Sequence, residues 1–521
     1  MFKYMPGNMK SKFFLVVLIC FCLNGFAADS DSSKTIVEKI NTSVNDVMKP
    51  VTDAVQSVVF YSFKIGDNSI PFVLVWLILA ALFFTVYFKF INVSGFKHAV
   101  KLVAGKYDNL EGKQKKEEGQ VSHFQALTTA LSGTVGLGNI SGVAIAIAMG
   151  GPGATFWMIL AGILGMSSKF VECTLGVKYR RINQDGSVSG GPMYYLKEGF
   201  SQKKLPVIGK VLAVFFAIMC IGGSFGGGNM YQANEARNQF TSLSYFEGTF
   251  VADDGGSVLF GLVLSILIGV VIIGGIKSIA KVTDKIVPFM CGLYVICAIG
   301  VLVAHFKQLP DAFYSIFSGA FNPEAAFGGF LGVLVQGFKR AAFSNEAGIG
   351  SAAIAHSAVK TDEPVTEGLV ALLEPFIDTV VVCTMTALVI IVTGAYTQGG
   401  EGVEITASAF SSVFGSGANI ILTLAVVLFA FSTAISWSYY GLKAWTFIFG
   451  EGKVKEIFYK IIFCLFTILG SILSLEQVVG FSDSMIFAMC LPNIIGLYML
   501  SPIVRGELNG FILKIKSYKK Q

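Results

Sequence analysis

The sequence predicts an all-α polytopic membrane protein made of two five-helix halves of opposite orientation, with one additional helix in front. Three observations carry this. Of the 521 residues, 54% are hydrophobic and only 14% charged, and mean hydropathy is +0.68. A soluble chain of this length would need several domains with a far more polar surface. The apolar runs recur at roughly the ~20 residues that cross a bilayer. A glycine-rich interruption also occurs twice, each time opening a set of five runs.

Taken in order, Lys3, Lys10 and Lys12 precede an apolar stretch from Phe13 to Phe26, with small residues Gly25, Ala27 and Ala28 at its end. About 14 apolar residues are short for a span, so residues 1–28 have the form of a secretory leader. Residues 29–68 are polar and are expected outside, with an amphipathic helix along the membrane surface. Eleven spans follow, at 69–90, 122–149, 153–177, 206–232, 256–276, 286–306, 328–358, 365–394, 418–449, 457–475 and 477–500. Basic residues fill every second loop: Lys97 to Lys116, Lys178 to Lys204, Lys277 to Lys285, Lys443 to Lys455, and the tail 501–521. The opposite loops hold few, among them Arg237 and Lys307. Cytoplasmic loops are the basic ones, so the mature N-terminus lies outside and the C-terminus inside. The net charge of +6 is therefore topological and implies no nucleic-acid partner. The nine cysteines form no C-x-x-C pair and lie in apolar runs, so they read as small buried hydrophobes. No obligate protein partner and no cofactor is evident.

The interruption "SGTVGLGNIS" (132–141) shares the pattern S-x-x-x-G-[LI]-G-[NS] with "SNEAGIGSAA" (344–353). The pattern aligns Ser132 with Ser344, Gly136 with Gly348, Gly138 with Gly350 and Asn139 with Ser351. Backbone groups left unpaired in lipid cost several kcal/mol, so a break at this depth must line a cavity. The first broken span runs inside to outside and the second outside to inside, and five spans begin with each, 122–306 and 328–500. Glycine-interrupted spans at matching places in inverted repeats point to a midplane binding site. Neither a dinucleotide fingerprint nor a phosphate loop is present: Gly136-x-Gly138 follows no strand, and no Gly-Lys-Ser/Thr occurs.

Four stretches, "SGTVGLGNISGVAIAIAMGGPGATFWM", "GNMYQAN", "FSNEAGIGSAAIAHSAVKTDEP" and "FSTAISWSYYG", resemble the alanine or glycine:cation symporter family of bacteria and archaea. The resemblance runs from about residue 70 to 505 and leaves the leader and residues 29–68 outside. It implies the leucine-transporter-type fold, five plus five inverted helices behind one extra helix, in the bacterial inner membrane. It also implies uptake of a small neutral amino acid coupled to sodium, with a proton as the alternative ion.

Physical chemistry then assigns roles within the breaks. Amides exposed at Gly136, Leu137, Gly138 and Asn139 suit a substrate carboxylate, while carbonyls of the second break, Phe343 to Gly350 and within it Ser344, Asn345 and Gly348, suit an ammonium. The Asn139 side chain either contacts substrate or caps the outer half-helix. The resemblance places Phe225, Asn229 and Gln232 near substrate, and makes Trp437, one helical turn from Thr433, a lid that limits side-chain size. It puts sodium between the first broken helix and the eighth core helix, on the carbonyls of Thr134 and Leu137 and the hydroxyls of Ser432 and Thr433; back-bonding of those hydroxyls along their own helix is the competing reading. Glu374 and Asp378 either carry a cation or brace the neighbouring break, bracing being favoured. Glu346 is expected to brace likewise, and Lys169 and Glu172 to form a structural ion pair.

Two other classes compete. Gly222-Gly223-Ser224-Phe225-Gly226 matches a nucleophile elbow, but it lies in an apolar helix rather than a strand-to-helix turn, so an intramembrane hydrolase is disfavoured and the chain is not an enzyme. A channel needs rings of like residues, and two dissimilar breaks suit one enclosed solute better.

Overall fold

The structure, a computed structural model, describes residues 36–518 apart from 66–67, 108–118, 185, 247–248, 252–253 and 322–328. The expected leader lies outside the described residues. The polar segment after it contains the amphipathic helix α1 (Ile36–Val59), which buries Val44 and Val59 and leaves Val51 and Val58 exposed. A hairpin of β1 (Ser62–Ile65) and β2 (Asn68–Pro71), with Phe63 opposite Ile70, leads to α2 (Phe72–Tyr87). The expected span 69–90 thus opens on a strand. Pro71 is extended, at φ −61 and ψ 130, and a proline suits the position just before a helix. Lys89 and Phe90 take left-handed φ values of 54 and 56, and α3 (Ile91–Ser94) and α4 (Phe96–Val103) leave at 64° to α2.

The first broken helix is α5 (His123–Thr134) and α6 (Ser141–Gly150), bent by 58° across a 3-10 turn at Leu137–Asn139. Ser122 and Gln125 cap its start reciprocally. Then come α7 (Ala154–Lys178), a short hairpin of β3 (Arg181–Ile182) and β4 (Val188–Ser189), and α8 (Pro192–Gln202). One long rod follows: α9 (Pro206–Phe225), a π turn at Gly226–Met230, and α10 (Tyr231–Thr241). Helices α11 (Asp254–Ile272), α12 (Gly275–Ala304) and α13 (Leu309–Phe321) complete this half. The second broken helix is α14 (Gly329–Asn345) and α15 (Ala352–His356). Next are α16 (Pro364–Val370), α17 (Leu373–Pro375), a π turn at Phe376–Cys383 and α18 (Thr384–Thr393). The chain ends through α19 (Val403–Phe414), α20 (Ser416–Phe449), α21 (Lys453–Ile472) and α22 (Leu475–Tyr518).

Among the described residues, seven helices are long and apolar enough to cross a membrane, or nine when each bent pair counts as one span. Of the eleven expected spans, 328–358 and 457–475 fall short of that measure. The first is divided at its break into two short helices, and the second carries Lys453, Lys455, Glu456 and Lys460 on α21. One expected loop is helical instead, Lys277, Lys281 and Lys285 riding on the first turns of α12; Lys443, counted with the basic loop residues, is buried in α20 within the span 418–449 and donates to Ser189 Oγ at 3.0 Å. The packing is centred on α5, α9, α14, α20 and α22, with α9 against both α20 and α22 and α14 against α7. The buried core and the breaks coincide: every residue from Ala126 to Ala144 is buried, as is every residue from Ala341 to Val359. Backbone turned inward there is shielded from lipid by protein, which is the condition for breaking a helix at membrane depth.

Candidate functional site

The first break is tied off by its own side chains. Gly136 N donates to Asn139 Oδ1 at 2.9 Å, and Leu137 N donates to Gln232 Oε1 at 3.1 Å. Gln232 arrives from α10, just after a π turn, where the extra residue of each turn changes the face presented. Its Nε2 donates back to Gly227 O at 2.9 Å. The amides expected to await a carboxylate are thus occupied at Gly136 and Leu137, because the break satisfies its donors locally. A side-chain carbonyl, Gln232 Oε1, takes the Leu137 amide that the sequence expectation left for a carboxylate.

The second break turns on a non-glycine residue in the left-handed region, Glu346 at φ 55, followed by Gly348 at 87 and Gly350 at 94. Glu346 accepts from Trp437 Nε1 at 2.9 Å and from Ser351 Oγ. Asn345 is spent on structure: its Oδ1 accepts from Ala347 N at 2.9 Å and its Nδ2 donates to Thr379 Oγ1 at 2.9 Å. The Gly348 carbonyl is engaged by Asn493 Nδ2 at 2.9 Å, which also donates to Glu172 Oε1 at 2.8 Å.

Asp378 links the breaks. Asn139 Nδ2 donates to its carboxylate at 2.6 Å, Ser344 Oγ at 2.9 Å and Thr379 Oγ1 at 2.7 Å. Asn139 therefore serves both as the cap of the first break and as a brace to the second. Ser344 is drawn into the same brace. Glu374 sits elsewhere, accepting from Lys169 Nζ at 2.9 Å with both side chains fully buried. The expected pairing of Lys169 with Glu172 is thus replaced by one across helices, since Glu172 is held by Asn493.

The third wall is α20. Thr433 Oγ1 donates to Ser132 O at 2.9 Å, and Ser132 Oγ donates to Ser432 O at 2.6 Å, a reciprocal staple between α5 and α20. Ser432 Oγ back-bonds to Phe429 O at 3.0 Å and meets Met290 Sδ at 3.3 Å. Thr134 Oγ1 back-bonds to Ala130 O at 3.3 Å; its own carbonyl accepts from Gly136 N at 2.9 Å, and Leu137 O accepts from Ile140 N at 3.2 Å. Each carbonyl retains a second lone pair. Of the expected sodium shell, Thr134 and Thr433 line one cavity, whereas the Ser432 hydroxyl is turned to Phe429 O and Met290 and the Thr433 hydroxyl is spent on Ser132 O.

These walls enclose a cavity of about 10 Å³, close to the minimum that holds one water. Thr134, Gly138, Gln232, Thr433, Trp437 and Glu346 line it. Phe343 and Ile486 supply apolar surface, and Gly133 and Gly227 complete the wall. Phe225 is not among them: it stacks on Phe466 of α21, centroids 4.4 Å apart. Asn229 also faces α21, donating to Phe463 O at 2.6 Å. Of these walls the sequence reading missed Ile486, Gly133 and Gly227. Ile486 lies in an unremarkable apolar run, so only tertiary packing singles it out. A larger cavity, about 250 Å³, lies among Tyr294, Cys297, Phe410, Phe414 and Ile421, but it is lined chiefly by apolar side chains and shares no wall with the breaks.

On one face, Lys339 and Arg340 of α14 approach Asp483 of α22 at 2.9 and 3.6 Å, and Lys339 lies 4.9 Å from the ring of Phe60.

Residues 52–521 match the sequence model of the Sodium:alanine symporter family. The chain is 40% identical over 446 residues to the sodium/alanine symporter AgcS of Methanococcus maripaludis, covering 85% of this chain and 94% of that one. It is 34% identical over 448 residues to the probable sodium/glutamine symporter GlnT of Bacillus subtilis, covering 86% and 89%. Among solved structures it resembles MhsT in complex with L-phenylalanine, with a TM-score of 0.52 and 18% identity, over 76% of this chain and 99% of that chain. The fold is therefore the one MhsT has.

Proposed function

This chain belongs to the sodium:alanine symporter family, and on that premise we propose that it takes up a small neutral amino acid, alanine or glycine, on a sodium gradient across the bacterial inner membrane. The solute binds between the two breaks, at the midplane of a five-plus-five inverted repeat (122–306 and 328–500), and the halves rock around it to expose it to each side in turn.

The observation that carries this reading is the cavity itself. It lies where both broken helices meet α20, and Trp437, Phe343 and Ile486 close it to large side chains. A substrate carboxylate takes the place of Gln232 Oε1 on the Leu137 amide, and the displaced carboxamide turns its N–H toward the same carboxylate. The ammonium faces Glu346 and the carbonyls of the second break. Sodium enters between Ser132 O and Thr433 Oγ1, replacing the hydrogen bond that joins them, with Thr134, Leu137 and Ser432 supplying further oxygens. A cation there holds α5 to α20 and so favours the arrangement that binds substrate. The name of the relative GlnT raises glutamine as a substrate; the bulk of Trp437, Phe343 and Ile486 around the cavity favours alanine or glycine. Proton coupling is the second reading, favoured by the Glu346 carboxylate on the cavity wall.

Uptake into proteoliposomes tests this, with sodium and proton gradients imposed separately and alanine, glycine and glutamine offered in turn. Saturable alanine or glycine uptake that follows sodium and survives collapse of the proton gradient is expected. Uptake that follows only the pH gradient replaces the coupling ion, and saturable uptake of glutamine alone replaces the substrate.

A further inference from the structure

The two broken helices are fastened together at one end by groups that the central cavity does not use. Just before α5, Val121 pairs in parallel with Val359, just after α15. Gln120 N donates to Ala358 O at 2.8 Å and Lys360 N to Val121 O at 2.8 Å. Arg180 ties the same segment down, its guanidinium donating to the carbonyls of Ser357, Val359 and Thr361 at 3.1, 2.5 and 2.7 Å. Beneath this bridge a single carboxylate grips both helices. Glu367 on α16 holds His356, the last residue of α15, through Oε1 at 2.5 Å, and holds His123, the first residue of α5, through Oε2. This is the face of the basic loops, which the positive-inside rule assigns to the cytoplasm.

We propose that His123, Glu367 and His356 form a proton-binding clasp that shuts the cytoplasmic exit, and that opening this exit releases a proton to the cytoplasm. The inference rests on the transport reading above. A carboxylate between two imidazoles is held most strongly when one imidazole is charged. The His123 side chain is 11% exposed while Glu367 and His356 are fully buried, so proton exchange with water runs through His123. When α5 swings away, the His123 imidazolium leaves the carboxylate and gives its proton to water, breaking only an N–H bond. Glu367 then keeps His356.

The charges around the clasp keep it in balance. Toward the interior, His356 Nε2 lies 3.4 Å from Glu374 Oε2, and Glu374 is neutralised by Lys169 of α7. The same helix carries Cys173 and Glu172, the latter held by Asn493. Just before α16, Glu363 is paired with Lys514 of α22. Near α5, Gln125 donates to Asp284 of α12 at 3.2 Å. On α4, which packs against α16, Lys97 and Lys101 are exposed and His98 bonds Tyr107 at 2.7 Å. The closed exit holds one proton more than the open one, so a rise in cytoplasmic pH favours opening, by up to about tenfold per pH unit across the titration.

The test places Ala126→Cys, on the buried inner half of α5, in a chain whose nine native cysteines are replaced. Inside-out vesicles in sodium without amino acid are labelled with a membrane-impermeant maleimide, and the rate is divided by that at Ser517→Cys on the exposed tail. The relative rate is expected to rise about tenfold or more from pH 6 to pH 8. His123→Gln and Glu367→Gln are each expected to give the high rate at both pH values. His123→Gln decides the matter alone if Glu367→Gln does not assemble, since it sits at the watered end of the clasp. A flat profile in the parent, or the parental profile in His123→Gln, overturns the clasp. Amino-acid uptake by the parent, measured in parallel, separates that result from a failure of the transport reading.

Discussion

Gly136 and Gly138 read alike in the sequence, yet their surroundings differ. A Cβ on Gly136 would collide with Thr433 Oγ1 and come within 3.1 Å of Gln232 Oε1, whereas one on Gly138 would lie 3.4 Å from Ser344 Cα, an ordinary contact. Overpacking a rigid site costs about 1–3 kcal/mol. Gly136→Ala is therefore expected to cut alanine uptake about 10- to 100-fold at unchanged expression, and Gly138→Ala to change half-saturation less than about threefold. Trp437 separates two roles in the same way. Trp437→Phe keeps most of the bulk but removes the N–H that Glu346 accepts, and leaving a buried acceptor unsatisfied costs about 1–3 kcal/mol. Trp437→Ala also opens the wall. Competition assays should show weakened alanine in both variants, and inhibition by leucine only in the second; leucine inhibition in neither removes Trp437 as the size limit.

At the scale of elements, α7 and the π turn at Phe376–Cys383 are joined to the breaks by buried charge. Lys169→Met leaves Glu374 without its ammonium, and an uncompensated buried charge costs about 3–5 kcal/mol. Its thermal midpoint in detergent should fall clearly below that of the parent, and adding Glu374→Gln should restore part of the loss. Full stability of the single variant would mean that His356 alone neutralises Glu374. How far such features are legible follows from their range in the chain. The glycine breaks announce themselves because they disturb local backbone in an apolar run, and a motif of ten residues carries them. Asp378 and Glu374 are conspicuous for the same reason, as carboxylates in a hydrophobic helix, although their partners are not. His123 and Glu367 stand 244 positions apart. No local pattern joins them, and each alone reads as an ordinary polar residue near a helix end. Phe225, which the resemblance places near substrate, turns its ring to α21, where it stacks on Phe466, a packing choice that no local pattern reveals.

Across the whole molecule, the proposed function puts sodium and amino acid at the seam between α5 and α20, and coupling there must be reciprocal, each tightening the other by the same factor. Calorimetry should show alanine binding more tightly with sodium than without it, and sodium more tightly with alanine by the same ratio; a ratio of one would place the ion outside this seam. The cavity has a further consequence. About 10 Å³ holds at most one water, so no file of solvent runs through this cavity, and the hydrogen bond from Thr433 to Ser132 occupies the place where the proposed function lets sodium enter. A membrane crowded with copies in this arrangement should remain electrically tight. Such vesicles should hold an imposed sodium gradient about as long as protein-free ones until an amino acid is supplied, which lets a cell keep the carrier abundant without discharging the gradient that powers it.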